Sequence, residues 1–371
     1  MPASLQTVSV LISFLLAFVV CGVITIIPDF LPDIPNARSS HDRTVPRGGG
    51  ISFMLAFVLC LAGFSILSGI IQDRTIQAFL IGSLLISMLG LLDDAFALSA
   101  ITRLSLQTII GLAVCFYGLP ERLRLPAGVE VTGWPVVFLQ LFWILACINF
   151  FNFMDGLDGL ASVQALFVSA GLGFLFYFKS ASPDSLFHSI VFFKVVGVSF
   201  FCLAASIFGF LLWNFPPARL FMGDTGSCFL GFVFAFAGLL SPFTKAASVN
   251  LPSVRFTKLP LEMNVDLMVI NVLLLPFLLD AALTIFLRLI RKQNLFKAHR
   301  EHLYQILFMR GWSAWQIDLF YLTINLGSVP FLAYYWMEKG SFQGFLVISL
   351  FALFLLLVYV MMRTNSRGQN S

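Results

Sequence analysis

Long apolar runs separated by short polar segments fill the chain from about residue 8 to residue 362. A helix crossing a bilayer needs roughly 20 apolar residues. Eleven runs meet or approach that length: about 8–28, 51–71, 76–92, 104–119, 134–151, 159–178, 189–212, 225–243, 267–288, 316–336 and 342–362, the third and fourth being the shortest. The pattern predicts an all-α polytopic membrane protein of about 11 transmembrane helices, with its active-site loops on the cytoplasmic face. Residues 1–362 read as one integral-membrane domain and 363–371 as a loose cytoplasmic tail. No Lys or Arg precedes the first run, so it lacks the charged start of a signal peptide and is expected to be a retained span.

Composition narrows the class. The 371 residues are 59% hydrophobic and only 11% charged, against about 25% charged in a soluble domain. The lipid bilayer is therefore an expected partner and nucleic acid is not; a homodimer is left open. The six cysteines are scattered without a CxxC pair and read as buried thiols, not metal or redox sites. Of the 22 Lys and Arg residues, 13 fall on the side of the 29–50 loop and 9 on the other. Cytoplasmic loops carry the excess of Lys and Arg. That places the amino terminus outside and the carboxyl terminus inside.

Five polar clusters interrupt the apolar pattern: Asp33–Gly50, Asp93–Asp94, Asn149–Asp158, Asn214–Ser227 and Arg288–His302. On an eleven-span topology all five lie on the cytoplasmic side, where chance alternation would scatter them. In NFFNFMDGLDGLA, two asparagines and two aspartates recur three apart (Asn149, Asn152, Asp155, Asp158). Carboxylates beside a span are costly and need a compensating role, although a membrane-surface turn would use one Asp-Gly. Asp93 and Asp94 end the third run. Acidic residues oppose the macrodipole at a helix C-terminus, whereas paired carboxylates suit Mg²⁺, which takes oxygen ligands and keeps room for water and phosphate. In NFPPARLFMGDTGS, Pro216 and Pro217 stop a helix and Asp224 sits in a glycine turn; that suits metal or phosphate binding, with Thr225 or Ser227 as a helix cap. RSSHDRTVPRGGG, with Arg47, reads as an anion-binding loop or as a positive-inside anchor. His299 and His302, with Arg288, Arg291, Lys292, Lys297 and Arg300, read as cationic donors to a diphosphate, not as an HExxH zinc site. Asp280, deep in the ninth run, is either functional or the partner of a nearby Arg or His. Carboxylates for Mg²⁺, cations for phosphate and an apolar surround together fit transfer of a phosphate-linked group to or from a lipid.

These stretches, with LLDDAFAL, PFLLD and AHREHLYQ, run in order from Asp33 to Gln305 and resemble the polyprenyl-phosphate N-acetylhexosamine-1-phosphate transferase family (glycosyltransferase family 4). The resemblance implies that undecaprenyl phosphate attacks the β-phosphorus of a UDP-N-acetylhexosamine, releasing UMP and leaving undecaprenyl-diphosphate-sugar in a bacterial inner membrane. By motif position it implies Asp224 as the principal Mg²⁺ ligand with Asn152 as a second, Mn²⁺ being a substitute. Asp93 and Asp94 become the acidic pair near the lipid phosphate, and with His299 they are the catalytic candidates. Asp155 and Asp158, Arg300 and His302 become substrate contacts, joined by Arg47 and Asn149. The loop His299-Arg300-Glu301-His302, followed by Tyr304 and Gln305, departs from the histidine-richer HxHH loop of many members. It resembles the branch that initiates O-antigen or capsule chains in Gram-negative bacteria.

Two alternatives stand beside this reading. A transporter or flippase would suit the span count and Asp280, but such sites lie near the midplane. A covalent aspartyl-phosphate on Asp93 or Asp94 would give the same overall transfer. Asp224→Asn is expected to abolish Mg²⁺-dependent turnover while membrane insertion is retained, measured as UMP release per amount of inserted protein; near-normal turnover would remove Asp224 from the metal site.

Overall fold

The computed structural model describes residues 2–27, 30–33, 44–124, 130–180, 187–240, 267–294, 299–337 and 342–364. The helices are α1 (Ala3–Ile26), α2 (Gly50–Leu67), α3 (Arg74–Phe96), α4 (Ala100–Gly118), α5 (Trp134–Met154), α6 (Leu160–Ser180), α7 (Phe187–Asn214), α8 (Gly223–Leu239), α9 (Leu267–Leu273), α10 (Leu275–Ile290), α11 (Leu303–Met309), α12 (Ala314–Met337) and α13 (Phe342–Thr364). Two small antiparallel pairs join loops: β1 (Pro32–Asp33) with β2 (Val45–Pro46), and β3 (Arg122–Arg124) with β4 (Glu130–Thr132). Polar caps mark where spans begin. Asp73 accepts from the Thr75 N–H at the start of α3, and Ser99 accepts from the Thr102 N–H at the start of α4, each satisfying an otherwise orphaned donor.

The all-α polytopic membrane architecture is as expected, but the count of eleven regular spans is not. Among the described residues nine helices are long and apolar enough to cross a membrane, or ten if one bent pair counts as a span. Two expected spans account for the difference. The run 225–243 gives α8, a helix of 17 residues in which every residue from Thr225 to Leu239 is buried. It packs against α2, α3 and α5. A helix apolar on all sides belongs inside the protein, so α8 is the core of the bundle and faces no lipid.

The run 267–288 is broken, with α9 and α10 meeting at 85°. Pro276 has no N–H to give Val272, and its ring crowds that carbonyl. The break strands the Leu273 carbonyl, which accepts instead from Gln164 Nε2 of α6 at 2.7 Å; Asn325 Nδ2 of α12 in turn donates to Gln164 Oε1 at 2.7 Å. A buried carbonyl without a partner costs about 1–3 kcal/mol, so these two amides are what permit the bend.

The tail also differs. α13 continues to Thr364, and Arg363 turns inward to Asp280. Positions 365–371 lie outside the described residues, as do Arg38, His41, Arg43 and Lys297 of the expected basic loops.

Helix α3 lies close against α8 because Gly90 has no side chain. A Cβ there would sit 2.3 Å from the Asp224 carbonyl oxygen, a backbone atom that cannot swing away. Gly90→Ala is expected to cost about 1–3 kcal/mol through overpacking, measured as a lower thermal midpoint in detergent; an unchanged midpoint would show that α3 and α8 can separate freely.

Candidate active site

The C-terminal ends of α3, α5 and α7 meet the N-terminal ends of α4, α6 and α8 at one end of the bundle. Asp94, in the last turn of α3, reaches the first turn of α8. Its Oδ1 accepts from the Asp224 N–H at 2.9 Å, and its Oδ2 accepts from the Thr225 N–H at 2.9 Å and from Thr225 Oγ1 at 2.8 Å. Helix N-termini present unpaired N–H groups and favour negative charge. Asp94 therefore caps α8 from another helix. The cap expected of Thr225 or Ser227 is not formed by their own side chains: Thr225 donates to Asp94, and Ser227 Oγ donates to the Gly223 carbonyl at 3.2 Å.

Asp224 faces the space between α3, α4 and α5. Asn152 Nδ2 donates to Asp224 Oδ1 at 2.7 Å and to Ser227 Oγ at 2.9 Å. Arg103 Nη1 of α4 donates to Asp93 Oδ2 at 2.7 Å and lies 3.4 Å from Asp224 Oδ2. Asp93 Oδ1 accepts from the Leu98 N–H at 2.8 Å. Asp93, Asp94, Asn152 and Asp224 are thus assembled by direct bonds, with Arg103 as the cation between two carboxylates.

The loops are strapped to this centre. The Phe221 N–H donates to Pro46 O, and the Gly49 and Gly50 N–H groups donate to Phe221 O and Met222 O at 2.9 and 3.0 Å. Arg47, one residue beyond Pro46, pairs with Asp33 at 2.7 Å and is near enough to Asp94 and Asp224 to feel their charge. Asp158 Oδ2 accepts from the Ala218 N–H at 2.9 Å. Asn214 Oδ1 accepts from the Gly159 N–H and Ser162 Oγ, while its Nδ2 donates to Leu220 O. Asn149 stands apart: it donates to Gln107 Oε1 and to Leu145 O, joining α5 to α4 and not to Asp224.

The basic segment reaches the Asp155 turn through Tyr304, whose hydroxyl donates to Phe153 O. His302 is buried, its ring stacked on Tyr304 with centroids 5.8 Å apart. The His299 ring centroid is 5.1 Å from that of His302, and Arg300 lies between them in sequence. Arg288 and Arg291, expected as diphosphate donors, both bind Glu301, at 2.6 and 3.1 Å.

A family profile described as Glycosyl transferase family 4 matches residues 76–241, which span every residue of the Asp94–Asp224 centre. Relatives extend the likeness. The chain is 28% identical over 348 residues to a probable undecaprenyl-phosphate N-acetylglucosaminyl 1-phosphate transferase of Bacillus subtilis, covering 91% of this chain and 84% of the relative. It is 30% identical over 242 residues to a phospho-N-acetylmuramoyl-pentapeptide-transferase of Listeria monocytogenes, covering 58% and 71%. It is 28% identical over 307 residues to a decaprenyl-phosphate N-acetylglucosaminephosphotransferase of Mycobacterium leprae, covering 79% and 74%. The chain belongs to glycosyl transferase family 4, among the polyprenyl-phosphate N-acetylhexosamine-1-phosphate transferases.

Among the described residues no three His, Cys, Asp or Glu side chains are grouped to cage an ion. Asp224 nevertheless offers a part-exposed carboxylate beside the Asn152 amide. One or two carboxylates completed by water and phosphate oxygens is how Mg²⁺ is usually held, so the residues fit a hard divalent cation. Asn152 turns its nitrogen toward Asp224, and its oxygen would face an ion only after an amide flip.

Three residues of the site carried no assigned role in the sequence reading: Arg103, Asn214 at the head of its polar cluster, and Tyr304 just after the His299–His302 loop. Arg103 did carry a signal, being the only charged residue between Ala97 and Leu119. Tyr304 and Gln305, which follow the His299–His302 loop, make defined bonds: Tyr304 Oη donates to Phe153 O at 3.2 Å, and Gln305 Oε1 accepts from the His302 N–H at 3.2 Å.

Charge states follow from surroundings. Burial, then His302 and Arg288, push the His299 imidazole down to about 4, so it is neutral at neutral pH and no cationic donor. Burial, then the carboxylates Asp224 and Asp94, push the half-buried Asp155 carboxyl from 3.8 up to about 8. Between those two values the folded protein keeps a proton that the unfolded chain has released, so stability falls as pH rises. The metal-free protein is expected to lose thermal stability across that window, and Asp155→Asn to flatten the slope. Parallel pH profiles of the two proteins would contradict the elevated Asp155 pKa.

Proposed function

We propose that the chain transfers an N-acetylhexosamine-1-phosphate from a UDP-sugar to undecaprenyl phosphate, releasing UMP at the cytoplasmic face of a bacterial inner membrane. The observation that carries this reading is the convergence of Asp93, Asp94, Asn152 and Asp224 with Arg103 at one end of the bundle. A transporter would need its polar site nearer the midplane. The family membership and the named activities of the relatives support transfer onto a polyprenyl phosphate.

In the proposed reaction an oxygen of the lipid phosphate forms a bond to the β-phosphorus, and the bond from that phosphorus to the bridging oxygen breaks, so UMP leaves with the electron pair. One phosphoanhydride replaces another, and no net proton is taken up. Such transfers depend on positioning and charge neutralisation. A bound Mg²⁺ would neutralise the diphosphate and polarise its phosphorus–oxygen bonds. Asp224 would hold the ion, with Asn152 beside it, and Asp94 would fix Asp224 through its backbone N–H. Arg103, held by Asp93 at 2.7 Å and standing 3.4 Å from Asp224, would offer its guanidinium to a phosphate oxygen. Asp155, Asp158 and Arg47 line the nucleotide side, and His299, Arg300 and His302 the sugar-phosphate side. The product would prime O-antigen or a related cell-surface polysaccharide.

Purified protein given undecaprenyl phosphate and a panel of UDP-N-acetylhexosamines is expected to release UMP with at least one of them, and only with Mg²⁺ or Mn²⁺ present. Failure with every sugar would sink the transferase reading. UMP exchange without lipid would favour the covalent aspartyl-phosphate route over direct attack.

A further inference from the structure

Asp280 is fully buried in α10. Every group that faces it is a donor. Its Oδ1 and Oδ2 accept from the Leu303 N–H at 2.8 and 3.0 Å, and Oδ2 accepts from the Tyr304 N–H at 3.4 Å and from Tyr321 Oη at 2.8 Å. Arg363 Nη2 donates to Oδ1 at 2.9 Å and also contacts Thr284 Oγ1. His302 Nδ1 lies 3.8 Å from Oδ1. A carboxylate enclosed by donors acts as an acceptor. With no solvent exposure and its lone pairs engaged, it has no room for cargo and no path to act on a phosphate.

Two of those donors belong to the segment that bears His302, and that segment reaches the Asp155 turn. Tyr304 Oη bonds Phe153 O, next in sequence to Asn152. Gly156 admits the hydroxyl, since a Cβ there would lie 2.2 Å from it. A continuous path therefore runs from Arg363 in the last helix through Asp280 and the Tyr304 backbone to the turn carrying Asn152 and Asp155.

We propose that Asp280 is a positioning residue for the transfer: with Arg363 as its counter-charge, it holds the His302–Tyr304 segment against the Asn152–Asp155 turn and so sets the UDP-sugar side of the site. The assignment of that side rests on the transferase reading; the coupling itself does not.

Full-length Asp280→Asn, Arg363→Gln, the double variant and Tyr304→Phe would be compared with wild type for UMP release. Loss of positioning is expected to lower kcat/KM for the UDP-sugar on the order of tenfold in Asp280→Asn. KM for undecaprenyl phosphate should stay within about twofold. Tyr304→Phe should show the same pattern, more weakly, and the double variant should be less impaired than the sum of its parts. Equal effects on both substrates, additive single variants, or a wild-type Tyr304→Phe would each overturn the proposal. Hydrogen exchange reads the coupling without turnover. Asp280→Asn is expected to speed exchange both in residues 299–309 and in residues 150–160; faster exchange in the first stretch alone would overturn it. If wild type releases no UMP with any sugar while exchange couples the two stretches, the transferase reading fails and the coupling of Asp280 to the Asn152–Asp155 turn stands.

Discussion

The carboxylate of Asp94, laid across the first turn of α8, is the interaction on which the rest of the site depends. Three donors of that turn converge on it. Without such an acceptor the buried start of α8 would expose unpaired N–H groups in an apolar bundle, which costs about 1–3 kcal/mol for each group left unsatisfied. Because the acceptor comes from α3, satisfying it also fixes how far α8 advances relative to α3. That register places Asp224 beside Asn152 and Arg103. Gly90 makes the approach sterically feasible, and the straps from Pro46, Gly49 and Gly50 to Phe221 and Met222 close the turn from the other side.

The same economy governs the polar groups deeper in the protein. Buried charge and broken backbone are costly, and at three places here other segments supply the partners. At the α9–α10 break, Gln164 and Asn325 take over the hydrogen bond that the bend leaves open. At Asp280, backbone N–H groups, a tyrosine and an arginine surround the carboxylate. Arg288, on the opposite end of α10, is matched by Glu301 and the Asn294 carbonyl. The centre around Asp224 differs in kind. There Asp94 is taken up in capping α8, while Asp93 and Asp224 share Arg103 as the bridging cation and Asp224 stays part-exposed.

The bundle and the polar residues of its site were legible in the chain, because both are written locally. A span announces itself by about 20 consecutive apolar residues, and carboxylates, asparagines and glycines stand out against such runs. Asp93, Asp94, Asn152 and Asp224 were all visible on that ground. What escaped was pairing. Arg103 reads as a lone charge near a span's start until Asp93 and Asp224 flank it, the latter 121 positions away. Arg363 reads as the first residue of a tail until it meets Asp280, 83 positions away. Asn149 shares the spacing of Asn152, yet its place on the helix turns it to Gln107. Pro276 was present to be read, but an apolar run of span length concealed the break it makes.

Sequence alone thus determined that this is an all-α membrane protein with chemistry gathered in a few polar clusters, since hydropathy and the cost of buried charge act residue by residue. Tertiary structure alone decided which helix is wholly interior, where one span breaks, and which carboxylates serve as caps and which face the site. Those outcomes depend on which donor ends up opposite which acceptor. In an apolar bundle that is settled by the packing of helices far apart in the chain, and no local pattern records it.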